Sequence, residues 1–209
     1  MLRPVELIFV RHGLPVRVEH TDGTKADPEL QDLGHDQARA MAHWLSQEHV
    51  DAVYVSPMAR ARQTAAPLEA ALGMDAVVRD GLAEFDRDQA SYIPMDELKK
   101  TDYERWQALM AGGYMEDMGD LEQFFHVVKA TVDEIVLGHS GERVALVCHG
   151  GVVNAYCAHV LGRGADDFMF CNVDYTSISR VMASSAGHRS LKSLNETAHL
   201  RELPEPPHR

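Results

Sequence analysis

Cysteine is scarce in this chain of 209 residues: there are three, Cys148, Cys157 and Cys171, and no two of them form a C-x-x-C pair. An odd number cannot be fully paired within one chain, so a disulfide-built secreted domain is disfavoured and a reducing compartment is the simplest interpretation. Met1 leads straight into a strand-like run, without the charged and apolar regions of a signal peptide. We therefore expect a cytoplasmic protein.

Long hydrophobic runs and several catalytic signatures are also missing. No apolar run approaches the roughly 20 residues that span a bilayer, so we expect no membrane association. Neither a P-loop pattern nor a G-x-S-x-G pattern occurs, and the 12 histidines include no H-E-x-x-H pair and no Cys/His cluster. We expect neither a metal ion nor a cofactor.

Positive charge is in deficit, with 20 Lys and Arg against 32 Asp and Glu and a formal net charge of −12. This balance weighs against a nucleic acid or an anionic membrane as partner, because both favour a basic surface. Residues 84–134 hold 13 acidic and 5 basic side chains, so two-thirds of the excess negative charge lies there. The length and the 45% hydrophobic fraction predict one globular domain over residues 1–209.

Short, mostly apolar runs alternate with helical patterns along the chain. The predicted strands cover residues 5–10, 51–55, 76–78, 143–147 and 177–182. The predicted helices cover residues 34–47, 57–72, 120–137 and 152–161. Because mostly apolar strands are typical of a sheet covered on both faces, we predict an α/β protein, a three-layer α/β/α sandwich around a mostly parallel sheet.

The second predicted helix carries its own start and stop signals. Ser56 is a good N-cap, and Pro57 suits the first helical position. Pro67 would kink the helix or end it early, and Gly73 is a plausible C-terminal stop. The helix is therefore expected to begin at Pro57 and to end no later than Gly73.

Residues 84–119 have a different character, with Pro94, three glycines and one helix-like stretch over residues 96–110. We interpret them as a helical insertion over the sheet, and a lid, a dimer surface and a second small core all stay open as its role. An edge strand could pair two copies into a homodimer, although no sequence signal demands it. The Pro-rich tail, residues 202–209, is predicted to be flexible.

Three basic motifs stand where a predicted strand ends, which is where open α/β sheets bind their ligands. They are Arg11-His12-Gly13, Ser56-Pro57-x-x-Arg60 and Cys148-His149-Gly150-Gly151. A cation in the first turn of a helix, as Arg60 would be, opposes the helix dipole unless an anion lies beside it. Taken singly, each motif is also consistent with a solvated arginine or a satisfied buried histidine.

Together the motifs resemble those of the histidine phosphatase superfamily, whose fold is phosphoglycerate-mutase-like. The matching segments, in chain order, are Arg11-His12-Gly13, Leu30-x-x-x-Gly34-x-x-Gln37-Ala38, Ser56-Pro57-x-x-Arg60-Ala61-x-Gln63-Thr64-Ala65, Leu82-x-Glu84, Cys148-His149-Gly150-Gly151 and Asn195-x-x-Ala198-His199-Leu200. Because they span nearly the whole chain in family order, the resemblance extends to the whole fold, with the insertion lying over the active site.

The resemblance implies a phosphoryl-transfer site built from these residues. His12 would be the nucleophile that forms a phosphohistidine intermediate. The phosphoryl oxygens would be bound by Arg11, Arg60, His149 and the backbone N–H of Gly150. With two arginines supplying positive charge, the reaction needs no metal.

The leaving alkoxide needs a proton, and Glu84 is the candidate general acid by family position. Asp86 and Asp88 stand close by in the sequence and stay open as alternatives. A partly desolvated carboxyl group beside a phosphate dianion would have a raised pKa and could donate its proton near neutral pH.

The chain departs from the family pattern around the pocket rather than within it. Family members often carry a small polar residue and an Asn where this chain has Leu14-Pro15-Val16-Arg17, and Gly-x-Trp-Glu-Gly where it has Phe85-Asp86-Arg87-Asp88-Gln89. These changes disfavour a mutase, which must hold a second phosphate, and favour a phosphomonoester hydrolase acting on a small phosphorylated metabolite. A phosphoglycerate-type mutase, a phosphohistidine or phosphoprotein phosphatase and a non-catalytic anion-binding protein are the alternatives.

Overall fold

The secondary structure follows the predicted alternation. The computed structural model describes residues 3–108 and 120–204. Its strands are β1 (Val5–Arg11), β2 (Val18–Glu19), β3 (Ala52–Val55), β4 (Val77–Val78), β5 (Ser91–Tyr92), β6 (Arg143–Cys148), β7 (Ile178–Ala183) and β8 (Arg189–Glu196). Its helices are α1 (Asp32–Leu45), α2 (Ala59–Leu72), α3 (Met95–Thr101), α4 (Tyr103–Ala108), α5 (Leu121–Gly138) and α6 (Gly150–Val160).

Six strands form one mixed sheet in the order β4-β3-β6-β1-β7-β8. The pairs β1–β6, β3–β6 and β3–β4 are parallel, whereas β7 runs antiparallel to both β1 and β8. Alternate β1 side chains enter two separate cores: Leu7 and Phe9 pack on the side of α5 and α6, and Ile8 and Val10 on the side of α1 and α2. The predicted three-layer α/β/α architecture is thereby confirmed.

The start of α2 differs from the prediction, because this helix begins at Ala59 and is not capped by Ser56. The Ala59 N–H donates to the Asp27 carboxylate, whose oxygens lie at 2.9 and 3.2 Å. Ser56 Oγ lies instead 2.7 Å from Nε2 of His149, inside the site described below. The capping group comes from a distant loop, so the local sequence could not reveal it.

Pro67 does not end α2, which continues to Leu72 and stops where Gly73 adopts a left-handed φ of 66°. A proline inside a helix removes one hydrogen bond and costs about 3 kcal/mol. Ala65 and Leu68, on either side of it, are fully buried against the sheet, and this packing offsets the local cost. The predicted early end of the helix at Pro67 was therefore wrong, and the predicted stop at Gly73 is confirmed.

The described part of the insertion contains two helices where the sequence predicted one. The predicted helix over residues 96–110 is divided at Asp102, whose φ of −150° is not helical. α3 ends before this residue and α4 begins after it. Residues 109–119 and 205–209 lie outside the described residues, so the end of the insertion and most of the predicted flexible tail stay predictions.

Two short strands that the sequence analysis missed join the insertion to the loop after β1. β2 pairs antiparallel with β5, which brings Val18 opposite Tyr92. Arg17 and Glu97 form an ion pair at 3.1 Å across the same junction. The insertion is thereby held over the end of the sheet at which β1 stops.

None of the helices described here is long and apolar enough to cross a membrane. The three cysteines are free, and Cys148 and Cys157 are buried.

Candidate active site

The sheet brings the three basic motifs to one edge. β1 and β6 are parallel neighbours, with Arg11 opposite Cys148, so His12 and His149 follow side by side. The two imidazole rings have centroids 5.1 Å apart. Because β3 is the next strand beyond β6, α2 begins at the same edge and delivers Arg60. His12, His149 and Arg60 are all buried, with at most 2% of their surface exposed.

The His12 ring is oriented by its own backbone neighbour. Nδ1 lies 2.8 Å from the carbonyl oxygen of Gly13. A carbonyl can only accept, so Nδ1 carries the proton and Nε2 keeps a free lone pair. Burial, and after it the positive charges of Arg60 and Arg11, lower the pKa of His12 well below its usual value. The ring is therefore neutral at physiological pH, as a nucleophile must be.

Arg60 is a buried guanidinium that is only partly satisfied. Its Nη2 donates to the Asp86 carboxylate at 2.7 Å, and its guanidinium carbon lies 4.6 Å from the centre of the Tyr92 ring. Nε and Nη1 are buried and have no hydrogen-bond partner among the described residues. Because leaving a buried donor unsatisfied costs about 1–3 kcal/mol, these two N–H groups favour an anionic ligand.

Arg11 is held by two residues of the segment before β7. Its Nη1 donates to the carbonyl oxygen of Val173 at 2.5 Å, and its guanidinium lies 3.9 Å from the centre of the Tyr175 ring. The stacked, bonded guanidinium has little rotational freedom, so its charge stays close enough to His12 to lower the pKa of that ring.

Among the described residues, the His149 ring is hydrogen-bonded through one of its two nitrogens. Its Nε2 lies 2.7 Å from Ser56 Oγ, and that oxygen also accepts from the Met58 N–H at 3.3 Å. A Ser56 hydroxyl that donates to Nε2 leaves the proton of neutral His149 on Nδ1, where it can be given to an anion. Burial, and after it the positive charge of Arg60, lowers the pKa of His149 well below its usual value. Nδ1 is buried without a partner in the part of the chain that the structure describes.

Glu84 is the buried carboxyl group of the site, with 7% of its surface exposed. Its Oε2 accepts from the Gly151 N–H at 2.8 Å, and Oε1 accepts from the Phe85 N–H at 3.3 Å. Burial, with the Asp86 carboxylate next in importance, raises the pKa of Glu84 to about 7, against the opposing effects of the Gly151 N–H and Arg60. A carboxyl group with this pKa can give and take a proton near neutrality.

The two alternative acids have other partners. Asp86 is engaged with Arg60 at 2.7 Å, and Asp88 pairs with Lys25 on the surface, where 66% of its side chain is exposed. Of the three carboxyl groups that the sequence left open, the geometry therefore favours Glu84 as the proton donor.

In Cys148-His149-Gly150-Gly151, the second glycine is the position at which an added side chain would displace its neighbours. A Cβ there would lie 2.3 Å from Oε1 of Glu84 and 2.7 Å from the Phe85 ring. At Gly150 the nearest atom would be Nε of Arg11 at 3.6 Å, an ordinary contact. Phosphate binding by the backbone N–H of Gly150 stays a prediction, whereas the close approach of Glu84 requires a glycine at position 151.

Gly151→Ala is expected to lower kcat/KM for an alkyl phosphate about 100-fold, because it displaces Glu84 by an ångström or more. Gly150→Ala should cost much less, since its methyl group has room and its N–H is kept. Steady-state kinetics of the two variants check this comparison, and equal losses would contradict the assigned position of Glu84.

Two other motif residues hold the backbone that follows His12. Thr64 Oγ1 accepts from the Gly13 N–H, and Gln37 Oε1 accepts from the Leu14 N–H, both at 2.9 Å. Gln37 and Thr64 were recognised from the sequence without a role, and neither Tyr92 nor Tyr175 was predicted to belong to the site, because no pattern marks a ring that stacks on a distant arginine. The described residues contain no group of three or more His, Cys, Asp or Glu that could hold a metal ion.

Comparison with known proteins points to one family. The model of the histidine phosphatase superfamily (branch 1) matches residues 7–197. The chain is 30% identical over 205 residues to phosphoserine phosphatase 1 of Hydrogenobacter thermophilus, covering 95% of this chain and 96% of that protein. It is 25% identical over 209 residues to a probable phosphoglycerate mutase of Yersinia pestis, covering 94% and 95%.

Solved structures show the same fold. One is the crystal structure of a phosphoserine phosphatase mutant from Entamoeba histolytica in complex with phosphoserine, which has a TM-score of 0.71 at 19% identity. The similarity covers 94% of this chain and 99% of that one. At this identity it establishes the architecture alone.

Proposed function

The chain belongs to the histidine phosphatase superfamily, and we propose that it hydrolyses small phosphomonoesters through a phosphohistidine intermediate on His12. Its relatives include phosphatases and a probable mutase, so a phosphatase activity in general follows from the family. The identity of the intermediate, the acid and the substrate is our inference from the site.

One observation carries the proposal: the His12 imidazole, whose Nε2 lone pair is free, lies beside the buried guanidinium of Arg60, which still has hydrogen bonds to give. Nε and Nη1 of Arg60 and Nδ1 of His149 are buried without partners among the described residues. Three unsatisfied donors match the three oxygens of a transferring phosphoryl group. His12, next to them, supplies the lone pair that attacks phosphorus.

The residues support a two-step displacement. The Nε2 lone pair of His12 forms a bond to phosphorus as the ester P–O bond breaks, and Glu84 gives its proton to the leaving oxygen. Water then attacks the phosphohistidine, Glu84 takes a proton from this water, and the P–N bond breaks to release phosphate. Both groups return to their starting protonation states.

The substrate we propose is a compact phosphomonoester with a neutral or cationic leaving group. Asp86, one-fifth exposed beside Arg60, and the acidic segment 84–134 would repel a polyanion and favour an ammonium group. A relative named for phosphoserine makes that amino acid ester the first candidate to assay.

The test is a panel of phosphomonoesters in which inorganic phosphate release is measured beside phosphoryl transfer to a second hydroxyl. The proposal predicts release to water, with phosphoserine hydrolysed faster than a phosphoester of similar size that carries additional negative charge. Transfer between hydroxyls without release would establish a mutase instead. Absence of turnover across the panel would contradict the enzymatic proposal.

A further inference from the structure

We propose that Asn195 and His199, which take no part in the chemical steps, are positioning residues that hold Arg11 and His12 in place through the turn of residues 173–177. The inference rests on the proposed function, because it assigns these two residues to the same reaction. Both belong to the C-terminal motif quoted above, for which the site itself gives no role.

The turn 173–177 contacts the first catalytic motif through both backbone and side chains. Val173 accepts from Nη1 of Arg11, and Tyr175 stacks on its guanidinium. The Thr176 N–H lies 3.0 Å from the carbonyl oxygen of Arg11 and 3.2 Å from that of His12. A displacement of this turn would therefore move the phosphate-binding arginine and the nucleophile together.

The turn has an unfavourable backbone conformation. Thr176 is fully buried and has a φ of 54°, in the left-handed region that a β-branched residue rarely adopts. Such a conformation persists only where the surroundings enforce it. Contacts from outside the turn are therefore required to keep Thr176 in its place.

Asn195 makes two of those contacts with one side chain. Its Oδ1 accepts from the Asp174 N–H at 2.7 Å, and its Nδ2 donates to Oδ2 of Asp174 at 3.0 Å. The β7–β8 register shifts between Ile178 and Arg180, and Asn195 has a φ of 56°. Irregularities of this kind change the direction in which a side chain points. Here the Asn195 side chain points at Asp174, in the turn 173–177.

His199 holds the other end of the turn. Its Nε2 lies 3.0 Å from the carbonyl oxygen of Thr176, and because a carbonyl only accepts, Nε2 is the donor. This carbonyl belongs to the residue whose N–H contacts Arg11 and His12. Asn195 thus holds Asp174, and His199 holds Thr176. These are the residues before and after Tyr175, whose ring supports Arg11.

A charge exchange tests Asn195 directly. Asn195→Asp sets a second carboxylate against Asp174 and is expected to lower kcat/KM by roughly 10- to 100-fold, as a small misplacement of catalytic groups does. Adding Asp174→Asn restores an amide–carboxylate pair with both hydrogen bonds, so the double variant should recover most of the activity. For His199, His199→Phe should lose activity, and His199→Gln, which keeps a donor, should lose less.

The control separates positioning from stability. Leu194, beside Asn195, packs against the core, so Leu194→Ala should lower the melting temperature without lowering kcat/KM. Orthovanadate affinity, measured by calorimetry, gives a second readout that should weaken in Asn195→Asp and recover in the double variant.

The outcomes distinguish this inference from the proposed function. If the wild type is active and Asn195→Asp matches it in kcat/KM and vanadate affinity, or if the double variant shows no recovery, the positioning role is wrong. If Leu194→Ala loses as much activity as Asn195→Asp, the effect is one of stability and the inference is overturned. A wild type that neither turns over nor binds vanadate refutes the proposed function, and the positioning role with it.

Discussion

His12→Ala is expected to lower kcat by roughly 10⁴- to 10⁶-fold, the range found when a covalent nucleophile is removed. Alanine cannot form the P–N bond, so only binding and electrostatic stabilisation by the remaining residues would be left. Steady-state and single-turnover assays with the best substrate of the panel measure the loss.

The matched control for this variant is His43→Ala. His43 is exposed in the last turn of α1, away from the site, so its replacement should leave kcat unchanged. A His12→Ala enzyme that keeps more than about one-hundredth of the wild-type kcat would mean that another group attacks phosphorus.

Glu84→Gln is expected to slow hydrolysis of an alkyl phosphate by about 10²- to 10⁴-fold, the usual contribution of a general acid. An aryl phosphate whose phenolate leaves without a proton should lose far less in its first step. The ratio of the two losses, from rapid-quench measurements of phosphoenzyme formation, reports whether Glu84 protonates the leaving oxygen. Equal losses for both substrates would contradict that role.

The pH dependence follows from the same carboxyl group. Because the pKa of Glu84 is raised to about 7, the protonated acid is present below that pH and is lost as the pH rises through it. kcat/KM for an alkyl phosphate should therefore fall above about pH 7, and Glu84→Gln should abolish this limb. Asp86→Asn should move the limb to lower pH, since the Asp86 carboxylate helps to raise the pKa.

Much of the fold was predictable because its strands are buried on both faces. β1, β3 and β6 appear in the sequence as mostly apolar runs, because nearly all of their residues are buried. Such runs can be recognised without knowing their partners in the fold. β8 was missed because its residues are only partly buried at the edge of the sheet, and their polarity resembles that of a loop. β2 and β5 were missed because two-residue strands form only when distant segments meet.

The principal groups of the site were predictable, because strand ends in an α/β sheet converge by topology. What could not be predicted are contacts between side chains from distant segments. Asp27 caps α2, Asp86 holds Arg60, and Tyr175 supports Arg11. In each case, a capping, charged or aromatic residue finds its partner only after the chain has folded.

The most direct test of the central claim is to trap the phosphoenzyme. Wild-type protein is mixed with a labelled phosphomonoester, denatured within its first turnover at alkaline pH, where a P–N bond survives, and digested for peptide mapping. The account predicts one labelled site, His12, with a bond that is lost in acid, and no label in His12→Ala. Label on any other residue, or turnover with no covalent phosphoryl group at any time point, would contradict it.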